Sequence, residues 1–370
     1  TLDGLILFTG PFGLAGIPPG TSSKQGFRTL VETNVHKTID TGFSVVNLED
    51  ESALLDIDLL DLEGNLVSTA ATDVNLLELE GRGQRSLFVT DLDFSPPVDF
   101  STFLGILRTK SDREVGATAI QTRPGEFAAL PVTSEESISS ESMDMAFSQA
   151  LDFAQFADGE GLTSQIYLMN LANTADASVL AIARDMEGEI LPVDLLDATD
   201  DQPAAGIIPA NGGQVSRTRG EGVLQAGSLK IETTQPLSGT ILFGGDFGLA
   251  GVPSSGIMES GFRTIIQIDA EKEINTGVAI VNLGNESISL EPALFDASGF
   301  KIEILDTPHV ISILPGGQMR FFITDFSWAE ESLDNFVGIL EIKSTGLVGA
   351  TAIQTRPGQF AALPVTRLPD

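Results

Sequence analysis

Apolar and polar residues alternate with a period of two through most of this chain. The run LLDIDLL at 54–60 places Leu55, Ile57 and Leu59 on one face and Asp56 and Asp58 on the other, the pattern of a half-buried strand. TGFSVVNL, FLGILRTKS and GATAIQT are similarly short, rich in β-branched and aromatic residues, and bounded by turn signals. About seven such runs per roughly 90–110 residues predict an all-β chain of antiparallel β-sandwiches. Helical spacing competes only over Ser142 to Phe156, and Pro292 inside an apolar run predicts an edge position or a bulge.

Three segments share one plan. Each opens on a strand ending in Asn-Leu: TGFSVVNL, SQIYLMNL and TGVAIVNL. Each continues to an Asp-x-x-Gly turn, at Asp61 to Gly64, Asp185 to Gly188 and Asp296 to Gly299. Asp hydrogen-bonds the backbone two residues on and Gly accepts positive φ, so these are hairpin turns. A Gly-Gln stretch follows at Gly83-Gln84, Gly213-Gln214 and Gly317-Gln318. The first and third segments also carry Arg123-Pro124-Gly125 and Arg356-Pro357-Gly358, the residue order of a type II turn.

The plan is duplicated on a larger scale. VGATAIQTRPGEFAALPVT starts at Val115, and VGATAIQTRPGQFAALPVT starts at Val348. The offset is 348 − 115 = 233, and Glu126 against Gln359 is the one difference. GPFGLAGIP at Gly10 and GDFGLAGVP at Gly245 recur at 245 − 10 = 235. A repeat of this length is read as an array of domains. Residues 1–24 read as the closing remnant of a type A sandwich and 25–133 as a type B sandwich. Residues 134–145 (SEESISSESMD and its flank) read as a Ser-rich linker, 146–258 as a type A sandwich and 259–370 as a second type B. The A-to-B joint is short and apolar and is expected to be the stiffer of the two kinds.

Composition narrows the function. Asp and Glu total 52 against 20 Lys and Arg, for a formal charge of −32. That balance argues against nucleic acid and anionic membranes, which need clustered cations. With no cysteine, disulfides, thiolate metal sites and cysteine nucleophiles are excluded. No run is long and apolar enough to span a bilayer, so no membrane insertion is expected, and no signal peptide is visible.

FAQFADGEGLTSQIYLMNLAN (Phe153 to Asn173) and the B unit from TGVAIVNLGNESISLEPALFDASG to FVGILEIKS resemble tandem Ig-like β-sandwich repeat domains of secreted and surface bacterial proteins. This chain has Asn-Leu where that family often has Asn-Pro. The resemblance implies Ig-like/fibronectin-like sandwiches and an extracellular or cell-surface location in bacteria.

Candidate chemistry is thin. Asp56, Asp58 and Asp61 are weak calcium candidates, but the aligned positions of the second B unit carry Glu291, Ala293 and Asp296, so the cluster is not rebuilt. Strand alternation reads them as a solvated face. Asp91 and Asp93, and Asp197, Asp200 and Asp201, do not fit a calcium loop. His36 and His309 occupy unrelated places in the plan. GGDFGLAG lacks the Lys and following helix of a phosphate loop. One Trp and one Tyr make no aromatic platform for sugars. Arg123 and Arg356 read either as exposed turn residues or as partners of a carboxylate on a neighbouring domain. The expectation is a non-enzymatic extracellular structural protein (stalk, surface-layer or filament subunit) without a cofactor, assembling through strand edges or end-to-end contacts with itself or neighbouring repeats. The alternative is an adhesin or carbohydrate- or protein-binding module using loops at one sandwich end.

Overall fold

The computed structural model describes residues 6–10, 13–17, 21–70, 78–135, 147, 149–199, 201–245, 248–304, 310–328 and 333–369. Their regular structure is almost entirely β-strand, with three 3-10 turns at Val35–Lys37, Val89–Asp91 and Ile323–Asp325. The strands form antiparallel sheets packed in pairs. His309 and most of the Ser-rich linker lie outside the described residues. The run at 142–156, ambiguous in sequence, is strand over Gln149–Asp158.

Each B sandwich pairs two sheets. In the first, one sheet runs Leu66–Ala70, Ala53–Leu60, Thr102–Ser111, Gly26–Asn34, Val132–Ser134; it is named here the GFRT sheet after the motif at Gly26. The other, the IQT sheet, runs Glu126–Leu130, Val115–Arg123, Asp40–Asn47, Gln84–Phe88. The second B sandwich repeats both. Its GFRT sheet is built on Ile288–Asp296, Asn335–Ser344 and Gly261–Asp269, and its IQT sheet on Asn275–Asn282, Val348–Arg356 and Gln359–Leu363. The A sandwich packs Gln149–Asp158, Gln225–Thr233 and Ala177–Arg184 against Gly213–Arg217, Thr163–Asn170, Leu237–Gly244 and Ala250–Pro253.

The inward residues are those the alternation selects: Phe27, Val31, Leu55, Ile57, Leu59 and Leu107 in the first B core, Phe262, Ile266, Leu290, Leu294 and Leu340 in the second. Each such side chain contributes about 1.5–3 kcal/mol by leaving water. The turns form as expected. Asp61, Asp185 and Asp296 each accept backbone N–H bonds on Oδ1, and Gly64, Gly188 and Gly299 have φ of 81°, 89° and 84°. Gly125 and Gly358 have φ of 77° and 69°, as a type II turn requires.

The Asn of each Asn-Leu pair has a role that its position alone does not disclose. Asn47, Asn170 and Asn282 are buried. Asn170 Nδ2 donates to the carbonyls of Ala175 (2.9 Å), Ile208 (3.1 Å) and Pro209 (3.0 Å). Its Oδ1 accepts from Ala172 N–H at 3.0 Å. Asn47 and Asn282 repeat the pattern. One amide thus ties the strand end to the loop that crosses it.

Some boundaries move. Thr21–Ser23 pairs with Val115–Ala117, so these residues belong to the first B sandwich and not to the preceding remnant. Val132–Ser134 pairs with the GFRT strand, and Glu135 forms an ion pair with Arg28, so this sandwich also extends into the expected linker. Pro292 is not on an outer strand: Ile288–Asp296 is paired along one side to Asn335–Ser344. On the other side Ile311–Ile313 covers 288–290 and Lys301–Ile302 covers 294–295. Pro292 sits in the gap, where its missing N–H breaks no ladder bond.

Candidate functional site at the joints between sandwiches

The outward face of the first GFRT sheet is not solvated. Arg28, Leu30 and Glu32 alternate outward along Gly26–Asn34, and the register aligns Leu30, Ile106 and Leu60 in one row across three strands. This row is buried because the A sandwich lies on it. Tyr167, Met169, Val215 and Leu242 of the A unit join the first B unit's core cluster.

A polar network closes this joint. The Tyr167 hydroxyl, fully buried, donates to Glu32. Gln121 Nε2 donates to Glu32 Oε2 at 2.7 Å and to the Tyr167 oxygen at 3.0 Å. Arg123 donates to Gln165 Oε1 at 3.0 Å. Burial, and then the Glu32 charge, hold the Tyr167 pKa well above the usual phenol range, so it remains a donor. At the rim Arg28 pairs with Glu135 and donates to Asn173 Oδ1 at 2.9 Å. The expectation about the joints rested on the connecting segments and missed this surface, which is made by sheet faces with the start of the connecting segment, Glu135, at its rim.

One contact recurs at both joints. The Leu62 carbonyl, inside the first Asp-x-x-Gly turn, accepts from Gly213 N–H at 2.8 Å. The Met186 carbonyl, inside the second turn, accepts from Gln318 N–H at 3.0 Å. The turn of one unit therefore seats on the Gly-Gln loop of the next. A Cβ at Gly64 would lie 2.4 Å from the Ala210 carbonyl oxygen, and one at Gly188 2.6 Å from that of Pro315; these glycines serve close approach as well as positive φ. Gln318 adds side-chain bonds to the carbonyls of Ala154 and Gly227, the latter at 2.9 Å. Ala154 packs on Ala279 and Val281 of the second IQT sheet.

The duplicated strings meet. Glu126–Leu130 and Gln359–Leu363 both lie against Ala250–Pro253, the closing strand of the A unit, and both lie against Gly13–Ile17. The latter forms a hairpin with Ile6–Gly10 and carries the matching GLAGI sequence. Between them is a cavity of about 550 Å³ lined by the same residues from each copy: Ala117 and Ala350, Thr118 and Thr351, Ala129 and Ala362, Leu130 and Leu363.

The acidic candidates separate. Asp56 is exposed, whereas Asp58 is buried and accepts from Arg108 Nη2 at 2.5 Å and Thr69 Oγ1 at 2.9 Å; it is not a solvated strand residue. Asp61 is committed to its turn through Asn65 N–H at 2.7 Å. Asp201 pairs with Arg217, which lowers its pKa; Asp200 lies outside the described residues. Asp91 accepts from Phe88 N–H at 3.1 Å. Among the described residues, no group of three or more His, Cys, Asp or Glu is arranged to hold a metal ion. His36 lies exposed in the Val35–Lys37 turn. Arg123 crosses to a neighbouring unit, though to an amide and not a carboxylate. The Nε of both Arg123 and Arg356 is buried without a hydrogen-bond partner.

Sequence reasoning did not find Glu32, Tyr167, Gln121 or Gln318 as joint residues. The usable signal was parity. Leu30, Leu60 and Ile106 are apolar at outward positions, which an exposed strand face does not need. Among the described residues no helix is long and apolar enough to cross a membrane. Comparison with protein-family models, curated proteins and solved structures finds no match.

Proposed function

We propose that this chain is a non-enzymatic structural repeat protein of the bacterial cell exterior, a subunit of a stalk, surface layer or filament. The observation that carries this reading is the recurrence of one contact, turn on Gly-Gln loop, at both successive joints. Repetition has been spent on how units meet. At the first joint Glu32, Gln121 and Tyr167 hydrogen-bond one another, an arrangement that fixes geometry. The extracellular location rests on the resemblance to secreted bacterial repeat domains.

The test is the shape and assembly of native material. Negative-stain microscopy and light scattering across salt should show units in fixed orientation within ordered assemblies. Units in random orientation with strictly monomeric scattering would leave only a passive spacer. Turnover in a broad ester, glycoside and peptide panel would overturn the non-enzymatic reading, and saturable binding on a glycan array would favour an adhesin.

A further inference from the structure

The two B sandwiches differ at one face. In the first, the row Leu30, Ile106 and Leu60 is covered by the A sandwich, and Leu30 and Ile106 are 0% exposed. In the second, the same register row is Ile265, Ile339 and Phe295. Ile265 is 46% exposed, Ile339 39%, and neighbouring Val337 52%. Around this row are Gln267 and Gln354, which hydrogen-bond each other at 2.8 Å where Glu32 and Gln121 hold Tyr167 in the first unit. The Asp296 to Gly299 turn, whose counterparts seat on a Gly-Gln loop, has nothing within 4 Å of a Cβ built on Gly299.

We propose that the outer GFRT face of the second B sandwich is the seat of a further type A sandwich. Its occupant has the character of residues 149–258. It would bring an apolar sheet face to Ile265, Ile339 and Val337 and a Gly-Gln loop to the Asp296 to Gly299 turn. It would also place a hydrogen-bonding side chain near Arg356, as Gln165 does for Arg123. The position of Gly13–Ile17 identifies this occupant independently. In the A unit, the closing strand Ala250–Pro253 rests on Glu126–Leu130 of the same B sandwich that the A unit covers. Gly13–Ile17 rests in the same way on Gln359–Leu363 of the second B sandwich, and each closing strand also lies against the string of the other B sandwich. It therefore stands where the closing strand of an A sandwich on that face would stand. Exchanging the two A–B pairs maps these contacts onto each other, so the completed arrangement is a ring of four alternating sandwiches. The inference concerns the fit of one unit on another and does not depend on the chain being non-enzymatic.

The chain lacks cysteine, so a single Ile339→Cys thiol reports this face cleanly. It is placed in the full chain, and in the full chain lengthened by a second copy of residues 147–235 ahead of Thr1, which supplies a whole A sequence running into the Ile6–Ile17 hairpin. The thiol should react freely in the first protein and at least about tenfold more slowly in the second, as a site opened only by local undocking does. Val337→Cys should behave in the same way, which guards against a fold defect at one position. Adding Ile265→Asp to the lengthened chain should restore fast labelling. Equal labelling of the two chains at both positions, with both cooperatively folded, would overturn the proposal.

Discussion

Replacing Asn282 by Ala should destabilise the second B sandwich selectively. Asn282 is 1% exposed. Its Nδ2 donates to the carbonyls of Glu286 at 2.7 Å and Ile313 at 3.1 Å, and its Oδ1 accepts from Gly284 N–H at 2.9 Å. Truncation leaves two carbonyls and one N–H without these partners. A buried unsatisfied group costs about 1–3 kcal/mol; at the lower figure for each, the loss is about 3 kcal/mol. The chain's one Trp provides a local probe. Trp328 lies in the second B core, with Nε1 donating to the Ile323 carbonyl at 2.9 Å. With a urea slope of about 2 kcal/mol/M, the Trp328 fluorescence midpoint should fall by about 1.5 M. Asn47→Ala, the same lesion in the first B sandwich, should move that midpoint less, because its broken bonds lie in another core. A loss below about 1 kcal/mol for Asn282→Ala would refute the view that this amide is the tie between strand end and loop.

The joints give further expectations. Leu30→Ala should cost about 2–5 kcal/mol as a buried truncation, whereas Ile265→Ala, at the equivalent exposed position, should stay within about 1 kcal/mol in calorimetry of the present chain. Tyr167→Phe should cost about 1–3 kcal/mol by leaving Glu32 short of a donor; a double-mutant cycle with Glu32→Gln should show coupling between them. Burial raises the Asp152 pKa, with Lys230 partly offsetting it. A carboxylate with a raised folded pKa disfavours folding once ionised, so Asp152→Asn should raise the melting temperature at neutral pH. That gain should vanish as pH falls below the ordinary Asp value. Calcium should leave the melting temperature unchanged at the Asp56 to Asp61 strand, since Arg108 and Thr69 already occupy Asp58.

Strand identity, turn type and the repeat plan were legible because each is set by nearby residues. Asp-x-x-Gly and Arg-Pro-Gly specify their turns within four or five positions, and period-two patterning selects the inward face. What parity cannot tell is whether an outward residue meets water. Asp56 and Asp58 are alike in sequence, and register sets a cation opposite each, Lys110 and Arg108, yet Asp58 is buried and bonded to Arg108 and Thr69 while Asp56 remains exposed. Glu32 reads as a surface charge until a tyrosine 135 positions later is placed against it. The joints are non-local, and their trace in sequence is an excess: Leu30, Ile106 and Leu60 in one B unit, Ile265, Ile339 and Phe295 in the other, apolar at positions where one sandwich alone has no use for them.

The same reasoning accounts for the nineteen-residue duplicate. A lone sandwich needs its turn glycines and inward residues fixed, but its outward residues on the IQT sheet could drift between copies. Here both copies of the string run past one cavity, and each lies against the two closing strands, Gly13–Ile17 and Ala250–Pro253. A Cβ on Gly251 would fall 2.3 Å from the Ala129 carbonyl oxygen, so the closing strand approaches the backbone of the first string closely. Both strings thus face one shared set of strands and one cavity. The outer faces of the GFRT sheets are under no such common constraint in this chain, and there the copies do diverge, with Glu32 against Gln267 and Arg108 against Glu341. Where the duplicate is strict, two units press on one place; where it relaxes, each unit faces a different neighbour.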